Sequence, residues 1–139
     1  MRAYIYGWTR AHEDATIRNV PNPSSYQWWL DVETGNSWSS TDLQANAASL
    51  EGMTDYFKSI RATVGLYSTA YQWQTIVGNI TESSSLCYLD SWLAGALTKR
   101  GAEANCKDAP LTPGGTVTLT QYVSKGLSIT TYLVVRIHG

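Results

Sequence analysis

The run WWLDVETGNSW, residues 28–38, sets two tryptophans and a leucine ahead of Asp31 and Glu33, then turns at Gly35-Asn36. A short apolar run closed by turn residues reads as a strand. YQWWLDVE (26–33) is therefore a predicted strand with two carboxylates at its C-terminal end. Residues i and i+2 of a strand point to one side, so Asp31 and Glu33 share a face. Such a pair either ends the strand in a cap or salt bridge, or does acid–base work.

Working outward, RAYIYG (2–7) reads as a strand and RAHEDATIRNV (10–20) as a helix, which PNPSS (21–25) breaks. After the loop TGNSWS, Ser40 or Thr41 is placed to cap a long helix ending near Ser59. Leu43, Ala47, Leu50, Met53, Tyr56 and Phe57 recur along it at helical spacing. ATVGLYS (62–68) is the third strand, TAYQWQTIVGN (69–79) a short helix, and DSWLAGAL (90–97) the fourth strand. A loop of small polar residues follows around Cys106. The Pro113-Gly114-Gly115 turn introduces GTVTLTQYV (115–123), and LSITTYLVVRI (127–137) is the sixth strand.

Strands alternating with helices predict βαβ units and a parallel sheet. Inner strands of such a sheet are buried on both faces, which suits WWL, VGLY and WLAGA. The last two strands follow closely enough to pair as an edge hairpin. A full (β/α)₈ barrel needs about 200 residues or more, and the chain has 139. The expected fold is α/β, an incomplete or shortened TIM-type barrel of about five or six mostly parallel strands, in a single domain spanning 1–139. Exposed edges on the first and last strands invite self-association.

Composition excludes several classes. Ten basic and eleven acidic residues give a net charge of −1 with no basic patch, which removes the footprint of a nucleic-acid binder. No apolar run reaches the roughly 18 residues that a membrane span needs, and MRAYIYGW lacks the apolar core of a signal peptide. Six Trp and nine Tyr stand against one Phe. That bias favours rings at half-wet surfaces, where an N–H or O–H also finds a partner. Sugar clefts and protein interfaces both have that character. Cys87 and Cys106 allow one bridge or none, and their spacing fits no zinc pattern.

The other strand ends add to the acid pair. Tyr67 closes VGLY, Trp92 opens WLAGA, and Gln121-Tyr122 close TLTQY. Ligands of parallel α/β folds bind beyond the carboxyl ends of the strands. Two close carboxylates repel, so one holds a proton while the other is ionised, the division that glycosidic cleavage uses. Each ring taken singly is ordinary packing; four strand ends together point to a cleft.

With these residues in hand, WWLDVETGNSW, VGLYSTAYQW, SWLAGA and VTLTQYVS resemble the glycoside hydrolase family 25-like, lysozyme-type barrels, in particular their actinobacterial secreted branch. The resemblance runs from about Tyr6 to Ser124. It implies a hydrolase of the β-1,4 links between N-acetylmuramic acid and N-acetylglucosamine, a peptidoglycan or related polysaccharide as partner, no cofactor and no metal. It also implies an extracellular or cell-wall location. By position, Glu33 would be the general acid and Asp31 its carboxylate partner. Tyr67 would bond near the reacting sugar, Trp92 and Gln121 would shape the cleft floor, and Tyr122 would line it. The family opens with a strand bearing a further aspartate, before the point where this chain starts. Its closing strand carries an acid where this chain has SKGLSITTYLVVRIHG. The resemblance thus describes a barrel shortened at its N-terminal side, and leaves a non-catalytic glycan-binding barrel or a truncated fragment as the alternatives.

The remaining motifs read as structure. His12, Glu13 and Asp14 are consecutive and splay apart on a helix, so they suit a solvated helix start better than a metal site. Ser68-Thr69 and Ser83–Ser85 lack a nucleophile-elbow setting. Gly114-Gly115 has no phosphate-loop lysine. Asn79-Ile80-Thr81 matches a glycosylation acceptor, meaningful only in a eukaryotic secretory route. Tyr71 and Trp73 read as packing on the short helix.

Overall fold

The computed structural model describes residues 1–16 and 20–123, together with the backbone of 132–136. The elements run α1 (Arg2–Thr16), a 3₁₀ turn (Pro23–Ser25), β1 (Gln27–Asp31), α2 (Leu43–Ser59), β2 (Thr63–Ser68), α3 (Ala70–Ile76), β3 (Asp90–Ala96), α4 (Lys99–Asn105), β4 (Thr116–Val123) and β5 (Tyr132–Arg136). They form one five-stranded sheet in the order β1-β2-β3-β4-β5. Strands β1 to β4 are mutually parallel, and β5 pairs antiparallel to β4.

Sequential order in a parallel sheet, with crossovers of one hand, brings every helix to the same face. The packing follows that rule. Leu30 and Val32 of the β1 segment, and Val64 and Leu66 of β2, enter one core with Leu50, Tyr56 and Phe57 of α2. Trp73 and Ile76 of α3 join it, as do Ala11 and Ala15 of α1. At β4, Thr120 Oγ1 donates to the Ala102 carbonyl of α4 at 2.8 Å. This is an α/β fold with a four-stranded parallel sheet and an antiparallel fifth strand, consistent with an incomplete TIM-type barrel.

Two elements differ from the sequence-based expectation. RAYIYG is helical, as the first part of α1, so the strand count among the described residues is five. Its aromatic and β-branched residues favour a strand, but tertiary contact overrides that preference. Gly7, Ala11 and Ala15 form a buried stripe of small residues, and α1 and α2 touch backbone to backbone there. A Cβ on Gly7 would fall 1.8 Å from the Ser49 carbonyl oxygen, and one on Gly52 would fall 2.0 Å from that of Tyr4. The tail of the predicted 10–20 helix, residues 17–19, lies outside the described residues. Second, the stretch expected as a loop before Cys106 is the helix α4. Thr98 caps it, its Oγ1 accepting from the Gly101 amide at 3.0 Å. The long helix is capped by Asp42 rather than Ser40 or Thr41, through Oδ1 and the Ala45 amide at 3.0 Å. Of the expected sixth strand, only 132–136 falls within the described residues.

Cys87 and Cys106 are free thiols. His12 lies in the second half of α1, not at its start, with its ring 5.4 Å from Tyr56 in an edge contact. Among the described residues no helix is long and apolar enough to cross a membrane, and no group of His, Cys, Asp or Glu is arranged to hold a metal ion.

Candidate active site

Strand alternation sorts the predicted residues. On β1, Trp28 stacks on Phe57 of α2 at 4.6 Å, so Trp28 faces the helices and Trp29 and Asp31 face the other way. Asp31 is the register partner of Tyr67, and Tyr67 of Trp92. Trp92 in turn partners Leu119 across an irregularity in the β3–β4 ladder. One row across the open face therefore reads Asp31, Tyr67, Trp92, Leu119. Glu33 and Gln121 stand two residues further toward the carboxyl ends of their strands.

The rings lock this row. Tyr67 meets Trp92 edge-on at 4.8 Å, and Trp92 meets Trp29 edge-on at 5.4 Å. Edge-to-face pairs of this kind add to the gain from burying the rings. Gly65 makes room for the arrangement, since a Cβ there would fall 2.4 Å from the Trp29 ring. Trp92 Nε1 is buried with no hydrogen-bond partner, an unspent donor on the site face. Gln121 is buried on β4, and its Nε2 donates to Tyr67 Oη at 2.8 Å.

The structure thus brings Asp31, Glu33, Tyr67, Trp92 and Gln121 to one face. It does not bring Tyr122 there: Gln121 points to Tyr67, so alternation sends its neighbour to the helix side. Tyr71 is exposed on α3 and Trp73 is buried in the core, and neither reaches this face.

The acids leave the sheet where β1 ends. The Val32 amide still pairs with the Tyr67 carbonyl at 2.9 Å, and Ser68 Oγ donates to the Val32 carbonyl at 2.7 Å. Beyond that point side chains hold the loop. Gln72 Oε1 on α3 accepts from the Thr34 amide at 2.7 Å. Asn36 Nδ2 donates to the Asp31 carbonyl at 3.1 Å, and its side chain also bonds the Asp31 carboxylate. Further along, buried Asn46 of α2 accepts from the Ser39 amide and donates to the Ser39 and Ile76 carbonyls. Glu33 is therefore placed by a clamped turn.

The two carboxyls hydrogen-bond each other. Desolvation is the main cause raising Glu33 above the ordinary carboxylate range; the charge of Asp31 and the shared hydrogen bond push it further the same way. Desolvation also raises Asp31, but there the bonds from Glu33 and Asn36 act in the opposite direction. A pair so coupled shares its titration. Both carboxyls are thus held above the ordinary carboxylate range by desolvation, with the hydrogen bonding acting to raise Glu33 and to lower Asp31. Sequence reading missed Asn36, Gln72 and Trp29 as parts of this constellation. Trp29 was legible as the residue two before Asp31 and on its face; Gln72 was not, because only the fold brings α3 to the loop.

A groove of about 1310 Å³ opens on the other side of the acids. It runs from Asp31 and Asn36 past Trp38 and Leu50 to Met53 and to Tyr6 of α1. Leu30 and Asp31 of β1 line it, and among the described residues neither Tyr67 nor Trp92 does.

Comparison with known proteins adds an independent line. The model of the family described as Lysozyme-like protein 1 matches residues 18–107, a span containing Asp31, Glu33, Tyr67 and Trp92. A probable GH family 25 lysozyme 4 of Dictyostelium discoideum is 41% identical over 56 residues. That match covers 40% of this chain and 25% of the relative, so the chain matches about a quarter of that relative's length. No solved structure matches.

Proposed function

We propose that this chain, which belongs to the lysozyme-like protein 1 family, is a glycoside hydrolase whose acid pair is Asp31 and Glu33. The observation that carries the reading is the neighbouring carboxyl pair at the carboxyl end of β1, each raised above the ordinary carboxylate range by desolvation, beside the Tyr67–Trp92–Trp29 rings. Glu33 protonates the glycosidic oxygen as the bond to it breaks, and the Asp31 carboxylate stabilises the positive charge developing on the sugar ring. Asn36 keeps Asp31 ionised by bonding to its charged form. Tyr67 and Trp92 offer the sugar a hydroxyl and an apolar ring face.

The substrate in this reading is peptidoglycan or a related β-1,4-linked polysaccharide, and the location is extracellular or at the cell wall. The relative's name, a lysozyme, supports this choice. The test is release of reducing ends from purified peptidoglycan: the parent chain releases them, Asp31→Asn releases them more slowly, and Glu33→Gln does not. A Glu33→Gln protein that works at the parent rate contradicts the assignment.

A second reading, glycan binding without cleavage, is favoured by the ring row, which needs neither acid to hold a sugar. It predicts binding of peptidoglycan fragments with no reducing ends released. For the same chain we also propose self-association through the unpaired edge of β1. Gln27 is exposed on that strand, and an edge lysine blocks strand pairing. Gln27→Lys is expected to shift the chain toward monomer in light scattering; an unchanged mass distribution contradicts this edge as the contact.

A further inference from the structure

Gln121 and Tyr67 are 54 positions apart in sequence and joined by a 2.8 Å hydrogen bond across β3. The direction of the bond matters. An amide nitrogen can only donate, so the phenol oxygen of Tyr67 accepts here. The phenol's own proton is then turned away from Gln121. Tyr67 partners Asp31 in the ladder, so the side away from Gln121 on β4 is the side of the acid pair on β1.

We infer that Gln121 is a positioning residue: by donating to Tyr67 Oη it sets the Tyr67 hydroxyl as a hydrogen-bond donor toward the Asp31–Glu33 end of the face. This rests on the glycosidase reading for its kinetic consequence but not for its geometry. Gln121 is buried and contributes through Tyr67, not as part of the cleft floor. Its burial explains why an amide is needed. A buried amide without a partner is costly, and the phenol supplies that partner.

Gln121→Glu tests the direction of the bond. A carboxylate can only accept, so the Tyr67 proton swings to residue 121 and away from the acids. The first readout is the Raman Fermi doublet of Tyr67, taken as the difference between each protein and its Tyr67→Phe counterpart. This doublet distinguishes a phenol that accepts from one that donates, and it requires no activity. The expected change is from an accepting to a donating phenol, and an unmoved doublet overturns the inference. The second readout is a double-mutant cycle on kcat and KM with peptidoglycan. Gln121→Glu is expected to lower kcat about tenfold or more with KM little changed, as for a hydrogen bond made in the transition state. In a Tyr67→Phe background it should cause no further loss. Losses that multiply in the double variant overturn the inference, whereas a purely structural role would lower thermal stability equally in both backgrounds. A Glu33→Gln chain as active as the parent sinks the glycosidase reading alone and leaves the Raman result to decide this one.

Discussion

Asp31 and Tyr67 are direct partners in the parallel β1–β2 ladder, on the face opposite the helices. Every candidate group is placed relative to that pair. Trp92 extends its row by one strand, Gln121 reaches back to it from β4, and Glu33 follows it by two residues. The site is thus made by strand register, with one clamped turn added.

The coupling of the acids fixes the expected pH dependence. Glu33 is held above its ordinary value by desolvation first, then by Asp31's charge and hydrogen bond. Asp31→Asn removes the charge, so Glu33 should lose its proton at lower pH. The basic limb of the kcat/KM profile is expected to move toward acid in Asp31→Asn. A limb that stays in place would show that Glu33 does not set it.

The same groups govern stability. Both acids bind their proton more tightly in the folded chain than in the unfolded one. For raised carboxyls the folded state is favoured at low pH, and that advantage is lost as pH rises through and above the ordinary carboxylate values of about 4. Glu33→Gln removes the liability, so its melting temperature should exceed the parent's at neutral pH and the gap should close on acidification. One cooperative transition is expected, the chain being read as a single domain. A variant less stable than the parent at neutral pH would contradict the assignment of strain to this pair.

The α1–α2 contact gives a prediction with an inverted sign. In a free helix Gly→Ala stabilises by about 1 kcal/mol. At Gly7 the added methyl would fall 1.8 Å from the Ser49 carbonyl oxygen, so the helices must separate. Gly7→Ala is expected to lower stability by about 1–3 kcal/mol, the usual cost of overpacking, as read from denaturant midpoints at an unchanged m-value. A stabilised Gly7→Ala chain would mean that α1 is not held by this contact.

Much of this was legible in the sequence, for identifiable reasons. The apolar period of Leu43 to Phe57 sufficed for α2, and the short apolar runs sufficed for β1 to β4. The D-x-E spacing alone put Asp31 and Glu33 on one side. RAYIYG misled because its local preference is for strand, and only close packing on the α2 backbone, Gly7 against Ser49 and Gly52 against Tyr4, makes α1 a helix with a small-residue stripe. Tyr122 was grouped with Gln121 because the two adjoin in sequence, although strand alternation separates them. Gln72, Asn46 and the Gln121–Tyr67 bond depend on contacts between distant segments, and no local pattern encodes them.

Trp92 links the two readings of the site. Its ring contacts both Tyr67 and Trp29, and its Nε1 is buried without a partner. Trp92→Ala is expected to weaken binding of peptidoglycan fragments at least tenfold, while Trp92→Phe, which keeps a ring, loses less. Isothermal titration distinguishes these outcomes. Equal affinities in all three proteins would remove the ring row from the binding surface.

The central claim, that Glu33 is the acid, is tested most directly by cell-wall clearing at matched concentrations of parent and Glu33→Gln, with folding of both checked by circular dichroism. A general acid contributes about 10²–10⁴-fold, so the account predicts a rate for Glu33→Gln lower by at least two orders of magnitude. A folded Glu33→Gln chain that clears walls as fast as the parent would contradict it.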